Sequence, residues 1–202
     1  KSEINKNLGF KIKIIGVVAK NPKKKRAIKI NKNLFYKNPI DLIKNNKVNI
    51  LFELIGMSDG ISKKVVEIAL KNKKHVITAN KALISKHGEY LSKLAEKNNV
   101  NLEFEASVGG GIPVLRTLKD GLATNKISKV VGILNGTSNY ILTEMEKTKK
   151  SFNEVLLKSQ KLGLAEANPK FDLDGSDVLS KVKILSSLAF KKQISLKKCL
   201  KE

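Results

Sequence analysis

Apolar positions recur along this chain with two different periods, and the alternation between them sets the first expectation of the fold. Residues 10–20, FKIKIIGVVAK, alternate and then run apolar with β-branched side chains dominant, which predicts a buried strand. NPKKK follows and reads as a turn carrying a positive cluster. Residues 39–46, opening at Pro39, predict a short helix. The near-continuous apolar run 48–56, VNILFELIG, has the texture of a central parallel strand. Ile61, Val65, Ile68 and Ala69 then mark one face of a helix over 61–72. HVITAN (75–80) predicts a third strand and 85–98 a helix with Leu91, Leu94 and Ala95 on one face. The alternating VNLEFEA (100–106) predicts a fourth strand. Strands that alternate with helices in this way build βαβ units, so an α/β fold with a Rossmann-like parallel sheet is expected. No GxGxxG turn precedes residue 10, so the sheet is expected to be incomplete, with 10–20 as the second strand of such a fold.

Beyond residue 107 the texture changes. SVGGGIP is a tight, glycine-rich turn, and Pro113 suits the start of a helix over 114–123. A strand over 128–134, the segment NGTSNYILTEM and a helix over 152–162 follow. The polar stretch AEANPKFDLDG leads into a last helix over about 176–190.

Composition bounds the reading without changing it. With 202 residues and 41% hydrophobic content the chain can bury a core, in one or two domains. Its longest apolar runs fall well short of a membrane span, and no secretory leader pattern opens it. A lone cysteine, Cys199, cannot form an internal disulfide and fits a reducing compartment. The formal net charge of +22 points first to nucleic acid or an anionic membrane. However, of the 40 basic residues only Arg26 and Arg116 are arginine, whose planar fork dominates phosphate and base recognition. Lysine here accompanies abundant asparagine and isoleucine and is spread along the whole chain, as expected of a solvated surface shaped by A/T-rich codons.

The candidate chemistry lies in the second half. Asp177 and Lys181 are four apart on the last helix, beside a stripe of Val178, Val182, Leu185 and Ala189. A partly desolvated lysine next to a carboxylate can exchange protons, although the same spacing also describes an ordinary surface ion pair. Glu166, Asp172, Asp174 and Asp177 cluster in a chain with few acids, as a site for an amine or a cation, or as turn and helix caps. The glycines of SVGGG let backbone approach a ligand or a cation. Asn135, Gly136 and Thr137 offer small polar groups after a strand end, where α/β proteins bind ligands, and Lys81 follows another such end. His75 and His87 are too isolated for a metal site.

VITANKALIS, FEASVGGGIPVLRTL, GILNGTSNYILTEM and LGLAEANPKFDLDGSDVLSKVKIL, taken in this order and spacing, resemble the motifs of the homoserine dehydrogenase family. The resemblance covers nearly all of residues 10–190. It implies an oxidoreductase that interconverts homoserine and aspartate 4-semialdehyde with NAD(P), in threonine and methionine biosynthesis. It implies a partial NAD(P)-binding domain over 1–115 and part of an α+β catalytic domain over 116–202. By the same resemblance Lys181 is the catalytic proton donor, and Glu166 and Asp177 bind substrate. Thr78, Lys81, Gly163 and Lys20 lie toward the cofactor, and Glu105, Val108, Gly110 and Ile112 surround a monovalent cation, sodium. The run from Lys20 through Arg26 carries no acid for a ribose hydroxyl, which points to NADP over NAD. The family's glycine fingerprint and its C-terminal part have no counterpart in these residues, so weak cofactor binding and little turnover are expected of this chain alone. A cytoplasmic enzyme is implied, homo-oligomeric at full length, with no nucleic-acid or membrane partner. The alternatives are a basic nucleic-acid-binding protein and a non-catalytic fragment on the same fold.

Overall fold

Three of the four predicted strands of the first half find one another. In the computed structural model, which describes residues 2–192 and 194–195, Ile50–Glu53 (β1), His75–Thr78 (β2) and Leu102–Glu103 (β3) form a parallel sheet in the order β1-β2-β3. The register pairs Ile50 with His75 and Glu53 with Thr78, so the C-terminal ends of β1 and β2 lie level. Cys199 lies outside the described residues.

The helices follow local signals. Ser2–Leu8 (α1) precedes Pro39–Lys44 (α2), which starts at Asn38: its side chain accepts from the Ile40 N–H, and Pro39 takes the first turn. Ile61–Lys71 (α3) and Lys81–Lys97 (α4) supply the crossovers of the sheet. α3 buries Val65, Val66, Ala69 and Leu70, and α4 buries Leu83, Ile84, Leu91 and Ala95. With Val76, Leu102 and Phe104 from the sheet side, these form one core. Val114–Arg116 (α5) passes directly into a wider π turn over Thr117–Gly121, so the helix expected over 114–123 is present only as this short, irregular element. Gly136–Thr148 (α6) begins at Asn135, and Phe152–Lys161 (α7) at a capping box of Ser151 and Glu154. Lys170–Leu173 (α8) and Ser176–Ala189 (α9) follow. Ile184 and Leu185 of α9 join the same core, which docks the second half of the chain against α4.

Two expected strands are absent. Residues 10–20 are exposed or half-buried and make a single parallel bridge, Val17 to Phe35. Residues 128–134 adopt no regular secondary structure, with Val131 and Ile133 exposed. Both segments have the β-branched composition of strands, but a strand is completed by a neighbour's N–H and C=O groups. Among the described residues the first meets a neighbour only at Val17, which exchanges backbone hydrogen bonds with Leu34 and Tyr36, and the second forms no ladder. The expected strand over 100–106 is likewise shortened to two residues, because the chain turns into a 3-10 turn at Glu105–Ser107.

One lysine departs from the solvated surface. Lys74 is buried, and its ammonium donates to the carbonyls of Asn45 and Val48 at 3.0 and 2.6 Å. A desolvated charge needs such partners, and here it ties the α2–β1 connection to the start of β2.

Candidate active site

The site is assembled at the C-terminal edge of the sheet, where parallel α/β folds bind ligands. Glu53 ends β1 and is fully buried. Its carboxylate accepts from the Thr78 hydroxyl at 2.7 Å, the Ser62 hydroxyl at 3.0 Å and the Ile55 N–H at 2.8 Å. The level register of β1 and β2 makes the first of these contacts possible. Thr78, its hydroxyl proton committed to Glu53, accepts from the Asn80 N–H. Asn80 in turn caps α4 by accepting from the Leu83 N–H, while its amide donates to the Met57 carbonyl. This chain of hydrogen bonds places Lys81, the first residue of α4, at a fixed point on the sheet edge.

Lys81 reaches across to the second half of the chain. Its ammonium lies 2.6 Å from Asp177 Oδ1. Asp177 Oδ2 lies 2.7 Å from the Lys181 ammonium, one helical turn further along α9. The spacing read from the sequence is therefore a real contact, and it is not a surface ion pair, because Asp177 is only 6% exposed. Lys181 also donates to the Leu134 carbonyl at 2.7 Å, which uses two of its three N–H groups. Asn135 completes the cluster: its amide donates to Asp172 at 2.8 Å and to Asp177 at 3.0 Å. Burial pushes the Asp177 carboxyl upward, but hydrogen bonds from Lys181, Lys81 and Asn135 together outweigh it and hold the carboxyl below its ordinary value.

The other expected site residues are placed as follows. Thr78 lies under the site, bonded to Glu53 rather than facing solvent. Gly163, at φ +73°, turns the chain after α7 so that the Leu164 carbonyl accepts from Thr137. Glu166 is exposed, and among the described residues its carboxylate makes no hydrogen bond or ion pair with the cluster, while its carbonyl accepts from Gln160. Lys20 is exposed on the segment 10–20. Glu105 accepts from the N–H groups of Leu115 and Arg116, holding the glycine turn against α5. Val108 is buried, and Gly110 and Ile112 are exposed in that turn. His87 pairs with Asp59, and His75 accepts from the Asn101 N–H; no group of three metal-ligating side chains occurs among the described residues.

Sequence reasoning placed no role on Glu53 or Asn80. Glu53 was legible only as an acid closing an apolar strand, a position that is costly unless hydrogen-bonded. The loop after β1 also went unread. Gly56 and Gly60 adopt positive φ there, and α3 begins at Gly60 without a side-chain cap.

A parallel α/β sheet whose C-terminal edge is joined through one buried carboxylate to two lysines defines the class of Rossmann-like nucleotide-binding folds. The comparisons make this specific. Residues 1–105 match the family model described as "Homoserine dehydrogenase, NAD binding domain", and residues 113–202 match the one described as "Homoserine dehydrogenase". The chain is 42% identical to homoserine dehydrogenase of Neisseria gonorrhoeae over 99% of its own length and 46% of that protein. It is 41% identical to that of Bacillus subtilis over 94% of its length and 43% of that protein. Among solved structures, homoserine dehydrogenase of S. aureus at pH 6.0 superposes with a TM-score of 0.81 at 40% identity, covering 97% of this chain and 48% of that one. A hyperthermophilic archaeal homoserine dehydrogenase in complex with NADPH gives 0.73 at 28% identity, covering 79% and 49%. The chain belongs to the homoserine dehydrogenase family. It spans slightly less than half the length of the curated relatives it matches. These matches favour the dehydrogenase over the nucleic-acid reading. No helix among the described residues is long and apolar enough to cross a membrane.

Proposed function

We propose that this chain contributes the acid–base centre of an enzyme that interconverts L-homoserine and L-aspartate 4-semialdehyde, with residues 1–115 forming the nucleotide-binding part and 116–202 the catalytic part. The observation that carries this reading is Asp177, buried between Lys81 at the sheet edge and Lys181 on α9. A bound reduced nicotinamide would supply a hydride, two electrons and a hydrogen nucleus, to the aldehyde carbon. Lys181 protonates the carbonyl oxygen as charge develops on it, using the N–H that neither Asp177 nor Leu134 takes. Asp177 holds that ammonium in place, and Asp177 and Glu166 are the residues that bind the amino-acid end of the substrate. Lys81 bridges cofactor and substrate, and Thr78, Gly163 and Lys20 lie toward the cofactor. NADP is the preferred cofactor, with NAD as the alternative.

Aspartate semialdehyde added to the protein, extended to the length of its relatives, is expected to drive oxidation of NADPH, read as falling absorbance at the reduced nicotinamide band. Absence of turnover with both cofactors overturns the assignment. The same reading places the enzyme in the cytoplasm, in amino-acid biosynthesis, as a homo-oligomer.

A cation is part of the proposal. Glu105 brings a carboxylate to the turn, and the carbonyls of Val108 and Gly110 accept no hydrogen bond among the described residues. With the Ile112 carbonyl these are hard oxygen donors of the kind that bind sodium. Replacing sodium by tetramethylammonium at equal ionic strength is expected to lower the melting temperature, by about 2 °C or more if binding contributes about 1 kcal/mol. An unchanged melting curve removes sodium from the proposal.

A further inference from the structure

Asn135 uses its side chain completely. Both amide hydrogens go to carboxylates, Asp172 Oδ1 at 2.8 Å and Asp177 Oδ2 at 3.0 Å. The amide oxygen accepts from the Ser138 N–H at 2.8 Å and so caps α6. The orientation is unambiguous, because a flipped amide would turn its oxygen against two carboxylates. The residue is buried, and the one before it, Leu134, gives its carbonyl to Lys181. Two consecutive residues at the end of the segment 128–134 therefore touch both members of the acid–base pair.

The charged groups meeting here come from three elements: Lys81 from α4, Asp172 from α8, and Asp177 and Lys181 from α9. Two carboxylates on one amide would ordinarily raise each other's affinity for protons. A neutral group that donates to both sets their separation and supplies the Asp177 carboxylate with a further hydrogen bond that favours its charged form. We propose that Asn135 is a positioning residue of this site: its amide bridges the Asp172 and Asp177 carboxylates and thereby fixes Asp177 against Lys181. The helix cap alone does not require asparagine, since aspartate and serine serve equally well in that role. The inference rests on the dehydrogenase reading for its consequence in catalysis, but its geometry is independent of it.

Asn135→Asp separates the two roles. It keeps the shape and the cap acceptor, removes both donors and adds a third carboxylate. The full chain, followed by carbon-detected NMR of its aspartate side chains, is expected to show the Asp177 titration moved up by about one pH unit or more, with the melting temperature within about 3 °C of wild type. Asn135→Ser, which retains a cap oxygen too short to reach the carboxylates, is expected to move the same titration in the same direction, and it carries the test should the aspartate variant fail to fold. In the active enzyme both variants are expected to lose on the order of 100-fold in kcat with a smaller change in KM. An Asp177 titration unchanged in the serine variant reduces Asn135 to a helix cap and overturns the proposal. The titration needs no turnover, so absence of dehydrogenase activity would sink the functional reading while leaving the role of Asn135 still decided.

Discussion

Lys181→Met is expected to lower kcat by on the order of 10²- to 10⁴-fold, the range for removal of a general acid. Methionine keeps an unbranched stem of similar length, so the packing beside Ile184 and Leu185 on α9 is preserved. What disappears is the ammonium that donates to the Leu134 carbonyl and to Asp177. Lys81 still neutralises Asp177, so the fold should survive the change. Substrate KM is expected to change little, because the lost contact is strongest when the carbonyl oxygen acquires charge. Steady-state rates with aspartate semialdehyde and NADPH measure this. A loss below fivefold would move the proton-donor role elsewhere.

Asp177→Asn is expected to act on both stability and turnover. Asparagine is isosteric, but one of its two positions now presents N–H toward a lysine ammonium. Lys81 and Lys181 then lie near each other with no charge between them. Removing one partner of a buried pair costs about 3–5 kcal/mol, while exposed pairs contribute about 0–1 kcal/mol. With Asp177 and Lys181 6% and 19% exposed but Lys81 43% exposed, a loss of roughly 1–3 kcal/mol in urea denaturation is expected. The pH dependence has a definite sign. The folded-state carboxyl lies below its ordinary value, so its stabilisation is fully present above about pH 3.9 and is lost as pH falls through the folded-state pKa. The difference between wild type and Asp177→Asn should therefore be constant near neutrality and shrink only in that acid range. A difference that instead vanished between pH 6 and 8 would assign the effect to another group.

The local elements with complete signals were readable in advance. α3, α7 and α9 fall within a residue or so of their apolar stripes, and α4 begins earlier than expected because Asn80 caps it. The strands at 48–56, 75–80 and 100–106 are real but shorter. The runs 10–20 and 128–134 carry an equally strong strand composition and are not strands. Composition describes what a segment tolerates, whereas pairing requires a second segment at the right distance. α6 went unassigned because its start, Asn135 and Gly136, reads as a turn until the cap bond to Ser138 is seen.

The sequence by itself determined the family, the parallel α/β plan and the pairing of Asp177 with Lys181, because each of these is written in local order and spacing. Only the tertiary structure decided that Asp177 is buried, that Lys81 from a helix about a hundred residues away shares it, and that Glu53 and Asn135 hold the two sides of the site. Those facts depend on which distant groups are brought within hydrogen-bonding reach and which are withdrawn from water, and neither relation is a property of any single stretch of chain.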